Sequence, residues 1–228
     1  MDPEFWIERW QMGHTGFHLS HTNPWLEKCW PLVAAPVAST IFVPLCGKSL
    51  DLLWLRNQGF QVLGVEVSQL AVKEFFAEHA LQPRVDRSGA FERWRCDGIT
   101  LLVGDFFALE PGMVADVAAV YDRASLIALP GELRRRYVGK MGALFAAALP
   151  TLLITLEYDQ QQMSGPPFSV AFAEVESLYR RRFSISQICS EEILDAEPRF
   201  RSKGVTSLIE NVYLLKPQES LQPSVGSS

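Results

Sequence analysis

The sequence predicts an α/β fold built on a mostly parallel sheet with helices on both faces. Two observations carry that expectation. From residue 40 onward, short β-branched runs alternate with amphipathic helical patterns, and such alternation needs parallel strands joined by crossover helices. The last two runs, "FSISQIC" and "TSLIENVYLLKP", are separated by a loop alone, so they pair as a C-terminal antiparallel hairpin at one sheet edge. With 228 residues, 48% of them hydrophobic, the chain can bury one sizeable core and is short for two. The expectation is one domain over residues 1–218 with seven strands. A polar, Pro- and Ser-rich tail follows at 219–228, with too little apolar surface to order.

Each element has its own signal. The aromatic opening, about residues 1–35, contains Trp6, Trp10, Phe17 and Trp25. Trp6 and Trp10 stand four apart and so share a helical face, either as a lid or as a helix packed on the sheet. "TIFVPL" reads as the first strand, and "SLDLLWLRNQG" as a helix stopped by Gly59. "QVLGVEV" is the second strand. The helix "SQLAVKEFFAEHAL" follows, with Ser68 as N-cap and Leu70, Val72, Phe75, Phe76 and Ala80 apolar. "GITLLVGDFFAL" and "VAAVYDRASLIAL" supply the third and fourth strands. In "GELRRRYVGKMGALFAAAL" one face carries Leu133, Tyr137, Val138, Met141, Leu144 and Phe145, with the arginines opposite. "TLLITLEYD" is the fifth strand and "FAEVESLYRRR" the last helix.

A net charge of −5 excludes the broad cationic surface that nucleic acid or an anionic membrane would need. Arg134, Arg135 and Arg136, like Arg180, Arg181 and Arg182, therefore read as solvated helix faces. No apolar run is long enough to span a membrane, and "MDPEFWIERW" lacks the apolar stretch of a signal peptide. Cys29, Cys46, Cys96 and Cys189 lie far apart in sequence with no C-x-x-C pair. That fits a reduced, cytoplasmic setting better than a disulfide framework or zinc site. His14, His18 and His21 fall in a Gly- and Ser-broken segment without a carboxylate pair, as loop histidines rather than metal ligands. No heptad demands a partner subunit, so a monomer is expected.

The stretch "IFVPLCGKSLDLLWL" places Gly-Lys-Ser between a strand and a helix. A phosphate loop needs a further glycine five residues before Gly47, and that residue is Phe42. Pro44 also removes an amide that would face a phosphate. A dinucleotide fingerprint fails too, because Gly47 is its only glycine. What survives is Glu66, 19 residues after Gly47 at the end of the second strand. A carboxylate there can accept from both hydroxyls of an adenosine ribose; a surface carboxylate ending a strand is the plainer alternative. A ribose without a cradled phosphate fits S-adenosylmethionine, and Gly47 lets the backbone approach its methionine portion. Asp105 ends the third strand, where it can accept from an adenine amino group, and Phe106 can lie against the ring or offer its amide. The strand pattern is also the layout of Rossmann-like class I methyltransferases.

The segments "FWIERWQMGHTGFH", "VPLCGKSLDLLWL", "GFQVLGVEVSQLAVKEFF", "YDRASLIAL", "SGPPFSV" and "NVYLLKP" resemble the thiopurine S-methyltransferase family over roughly residues 5–217. They resemble its bacterial members more than its animal ones. The resemblance implies an S-adenosylmethionine-dependent enzyme that methylates thiopurines and other aromatic thiols. From the bacterial members it extends to selenium and tellurium compounds, with tellurite resistance. It implies that Trp10, Leu45, Glu66 and Arg123 bind the methyl donor, and that Trp6 and Phe17 cover donor and substrate. Asp105 and Phe106 match the adenine position, and Arg199 a second arginine near the acceptor. No metal is implied.

Methyl transfer from a sulfonium is an in-line displacement in which positioning dominates. A thiopurine sulfur is soft and its ring delocalises charge, so no strong base is required, and no Ser-His-Asp or Cys-His pair is in place. Asp122, beside Arg123, is the candidate to receive a proton, with a buried Asp122–arginine pair as the structural alternative. "MSGPPFSV" would border the acceptor pocket; its prolines fix a turn in which one bond can be cis. Cys46 reads as a small packing residue. Two other functions suit the same sheet. A nicotinamide-dependent dehydrogenase is disfavoured by the missing glycines, and a non-enzymatic S-adenosylmethionine-binding module would turn over no thiol.

Overall fold

In chain order the strands are β1 (Thr40–Val43), β2 (Gln61–Glu66), β3 (Arg84–Ser88), β4 (Phe91–Cys96), β5 (Ile99–Val103), β6 (Val117–Arg123), β7 (Thr151–Glu157), β8 (Phe183–Glu192) and β9 (Ile209–Pro217). The helices are α1 (Pro3–Gln11), α2 (Pro24–Cys29), α3 (Asp51–Asn57), α4 (Gln69–Glu78), α5 (Gly131–Leu144), α6 (Phe172–Tyr179) and α7 (Pro198–Arg201). The computed structural model describes residues 3–218; the tail expected to be disordered, 219–228, lies outside the described residues.

The strands form one sheet in the order β3-β4-β5-β2-β1-β6-β7-β9-β8. Its five central strands, β5 to β7, are parallel, and β9 and β8 return as the expected antiparallel edge pair, although their connection holds the short helix α7 rather than a loop alone. The count is nine rather than the seven expected. The additional pair, β3 and β4, is a hairpin laid antiparallel on β5. Its sequences "RVDRS" and "FERWRC" conceal it, because Phe91 is their one fully buried residue. Asp86 instead pairs across the hairpin with Arg93 at 2.8 Å and with Arg95. Charge at a sheet edge resists pairing with another chain, and it also erases the alternation by which a strand is read.

Side chains alternate across the sheet, so each strand feeds two cores. Ile41, Val43, Val62 and Tyr121 pack on one face with Leu52 and Leu55 of α3 and Phe75 and Phe76 of α4. Phe42, Leu63, Val65 and Val120 pack on the other with Tyr137 of α5 and Tyr179 of α6. Ser68 caps α4 as expected, its Oγ accepting from Ala71 N–H at 3.3 Å, although Leu70 and Ala80 turn outward. Helix α5 stops at Leu144, short of its apolar pattern. Arg182, read as solvated, donates there to the carbonyls of Gly142, Phe145 and Ala146, groups a helix end leaves free. Arg134 is likewise buried, donating to Ser169 O at 2.9 Å and to Glu174 at 3.0 Å.

The chain runs from β1 outward through β2 to β5, then restarts at β6 on the other side of β1. That reversal opens a crevice beyond the carboxyl ends of β1 and β6, where open α/β sheets hold their ligands.

Candidate active site

The crevice is a cavity of about 320 Å³. Strand ends form its floor, α1 and the loop after it form its cover, and α7 closes one side.

One end is built by backbone. Leu45 (φ 45°) and Gly47 (φ 53°) turn the chain sharply after β1. A Cβ at Gly47 would lie 3.0 Å from the Trp10 ring, so only glycine lets the loop and cover meet. The buried Glu66 carboxylate accepts from Gly47 N–H at 2.9 Å through Oε2 and from Ser68 N–H at 2.7 Å through Oε1. Each oxygen keeps a second lone-pair direction, which leaves the pair of acceptors that a vicinal diol needs. Burial pushes this carboxyl above its ordinary pKa, while the amides of Ser68, Gly47 and Val67 hold it back. Burial, then Glu66, pushes the adjacent Cys46 thiol well up, consistent with a packing role. The lysine of Gly-Lys-Ser turns aside: Lys48 Nζ pairs with Glu74 at 2.8 Å and Glu78 at 2.6 Å on α4. Burial opposes its charge, but those pairs prevail and raise its pKa.

The cover is aromatic. Phe17 meets Trp6 and Trp10 edge-on, with centroids 5.7 and 5.4 Å apart. His18, on the same loop, is shifted below its usual pKa by burial and then by Lys48. Among the described residues no group of His, Cys, Asp and Glu is arranged to hold a metal, and no helix is long and apolar enough to cross a membrane.

The other end is built by side chains. Arg123 ends β6 and lines the cavity together with Tyr121; by strand alternation Asp122 points the opposite way. The carboxylate considered as a proton receiver is therefore off the cavity wall. Its Oδ2 accepts from Tyr137 O–H at 2.7 Å, so its partner is a tyrosine rather than an arginine. Burial raises its pKa to about 6, although Tyr137, Ser125 and the Leu126 amide pull it back. Arg199 reaches the cavity from α7, its Nε 2.8 Å from Glu197, and comes close enough to the cover that a Cβ added at Gly16 would lie 3.0 Å from its guanidinium. Pro166 and Pro167 line the wall, and both of their peptide bonds are cis where the sequence suggested one. Tyr158 O–H holds that turn, donating to Pro167 O at 2.6 Å.

Trp6, Trp10, Phe17, Leu45, Gly47, Glu66, Arg123 and Arg199 thus come together on one cavity. Asp105 and Phe106 do not line it. Asp105 is exposed, its Oδ1 accepting from Phe107 N–H at 2.9 Å, and Phe106 is buried 4.8 Å from the Tyr137 ring centre. Sequence reasoning missed Arg9, Asp51, Lys203 and Glu210 on the wall. A polar Glu210 inside the apolar run "TSLIENVYLLKP" was a usable signal, whereas Arg9 and Lys203 gave none. It also missed that Cys29 and Cys189, remote in sequence, meet as hydrogen-bonded free thiols.

A solved S-adenosylmethionine-dependent methyltransferase from Anabaena variabilis matches this fold with a TM-score of 0.62, at 14% identity and 95% coverage of both chains. The 1,6-didemethyltoxoflavin-N1-methyltransferase of Burkholderia thailandensis, solved with S-adenosylhomocysteine, matches with a TM-score of 0.59, at 12% identity, over 94% of this chain and 87% of that one. The fold, with a cavity at its switch point, is that of the class I S-adenosylmethionine-dependent methyltransferases. Residues 1–218 match the family described as Thiopurine S-methyltransferase (TPMT). Relatives named thiopurine S-methyltransferase from Xanthomonas axonopodis pv. citri and Nitrosospira multiformis are 49% and 46% identical, covering 95% and 94% of this chain and 99% and 98% of their own. The chain belongs to the thiopurine S-methyltransferase family, enzymes of S-adenosylmethionine-dependent S-methylation.

Proposed function

We propose that this enzyme methylates the sulfur of thiopurines and related aromatic thiols. The observation that carries the proposal is a single cavity with a clamped carboxylate, Glu66, at one end and the cations Arg123 and Arg199 at the other. S-adenosylmethionine supplies an electrophilic methyl group on a sulfonium. Glu66 accepts from its ribose hydroxyls, and the Leu45–Gly47 turn receives its amino-acid portion. Although neither lines the cavity, Asp105 and Phe106 follow β5, which pairs with β2 up to Glu66, and in this reading the remaining Asp105 oxygen and the Phe106 amide serve the adenine. Trp6, Trp10 and Phe17 exclude water, and an aromatic face beside the sulfonium adds about 1 kcal/mol. Arg123 pairs with the donor carboxylate or an anionic acceptor, and Arg199 steers the acceptor under the cover. With the reactants held in line, positioning provides most of the acceleration.

Reduced selenium and tellurium anions are also soft nucleophiles, and the arginine-lined end suits them; once cellular thiols have reduced tellurite, their methylation would confer tellurite resistance. The four unbridged cysteines suit a reduced, cytoplasmic setting, where we take the enzyme to act as a monomer. The test is calorimetric titration with S-adenosylmethionine, then addition of 6-mercaptopurine with mass detection. One methyl gained on sulfur is the expected result. Donor binding without product would favour a non-enzymatic module, and nicotinamide binding a dehydrogenase.

A further inference from the structure

Three carboxylates line the cavity, and they are not equivalent. Asp51 ties elements together, its Oδ1 accepting from Asn23 N–H, which precedes α2, at 2.8 Å and its Oδ2 from Tyr121 O–H of β6 at 2.9 Å. Glu66 belongs to the donor end. Glu210, on β9 opposite Leu156 of β7, faces the acceptor end, where the Trp25 indole donates to it. Arg123 of β6 lines the same cavity, and its charge lowers the Glu210 pKa. A guanidinium and a carboxylate thus line the same cavity.

That pairing of charges has a chemical complement. A heteroaromatic thione presents a sulfur acceptor next to a ring N–H donor. An arginine at the sulfur and a carboxylate at the N–H would read both. Methylating such a neutral thione leaves a cation unless the ring proton departs, so a proton acceptor at that edge helps the reaction as well as the binding.

Resting on the S-methyltransferase reading, we infer that Glu210 is a catalytic base, taking the ring N–H proton of the acceptor as its sulfur is methylated. The sulfur lone pair forms the new S–C bond. The bond from methyl to sulfonium breaks, with its electron pair left on the donor's sulfur. The ring N–H bond pair stays on nitrogen, and the proton goes to the Glu210 carboxylate and later to water. Burial disfavours the charged carboxylate and lifts its pKa. Arg123 and Trp25 pull it down, while Glu197 before α7 and Glu191 on β8 raise it; Arg199 and Lys203 share the cavity.

The test compares 6-mercaptopurine with 4-nitrothiophenol, a thiolate at neutral pH that has no ring N–H. Glu210→Gln is expected to lower kcat for 6-mercaptopurine by about 100-fold or more, with unchanged donor affinity and a loss on 4-nitrothiophenol at least tenfold smaller. The wild-type kcat for 6-mercaptopurine should fall on the acid side as Glu210 protonates. Trp25→Phe, which removes a donor favouring the ionised carboxylate, should move that limb to higher pH. Equal losses on both acceptors, or an acid limb retained in Glu210→Gln, would overturn the inference alone. Should that variant not fold, an unmoved limb in Trp25→Phe does the same. Absence of wild-type turnover on both acceptors would overturn the S-methyltransferase reading and this inference with it.

Discussion

The two ends of the cavity are made in different ways. At the donor end, Gly47, Glu66 and Ser68 belong to two consecutive strand–turn–helix units, and backbone amides fix the key carboxylate at 2.9 and 2.7 Å. At the acceptor end, Arg123, Pro166, Arg199 and Glu210 come from four separate segments and depend on side-chain placement. A site held by the backbone leaves its pattern in local sequence. A site assembled from distant side chains leaves it only in the fold.

The comparison is most sharply tested at Asp122, next in sequence to Arg123 yet in the core. Its folded pKa of about 6 lies above the ordinary value of 3.8, so the folded state binds this proton more tightly. The group's stabilising contribution is full below the ordinary value and is lost as pH rises to about 6. Asp122→Asn should therefore gain stability relative to wild type between pH 4 and pH 7, by up to about 3 kcal/mol, read from urea midpoints. Turnover should persist, and its collapse in a folded, donor-binding variant would return Asp122 to the chemistry.

Glu66→Ala comes next. Removing a buried, hydrogen-bonded carboxylate should weaken donor binding by about 1–3 kcal/mol. Arg199→Ala should act more gently, since its guanidinium is already paired with Glu197 and partly exposed. A rise in acceptor KM of a few-fold, with donor affinity unchanged, is the expected kinetic result. The smallest effect is expected from Lys48→Met. Its partners Glu74 and Glu78 are substantially exposed, so the pairs contribute less than about 1 kcal/mol. A larger loss of donor affinity would mean that the Gly-Lys-Ser lysine binds ligand after all.

Much of the fold was legible because its signals are local: Ser68 at a helix start, Glu66 at a strand end, no long amphipathic pattern between β8 and β9. The β3–β4 hairpin was hidden by the charges that protect a sheet edge. Arg134 and Arg182 looked solvated because a helix face cannot show which carbonyls a neighbouring element leaves unpaired. Within the site, the same limit separated Glu66, found from spacing, from Glu210, whose relation to Arg123 exists only once β6 and β9 share a sheet. It also explains Asp122, since adjacency to an arginine in sequence places a residue on the opposite face of a strand.

The measurement that tests the division most directly is calorimetric titration of S-adenosylmethionine into wild type, Glu66→Ala and Glu210→Gln side by side. The structure predicts that the wild type binds, that Glu66→Ala binds at least about fivefold more weakly, and that Glu210→Gln matches the wild type. Wild-type affinity in Glu66→Ala would contradict the assignment of the donor to the clamped carboxylate, and with it the division of the cavity.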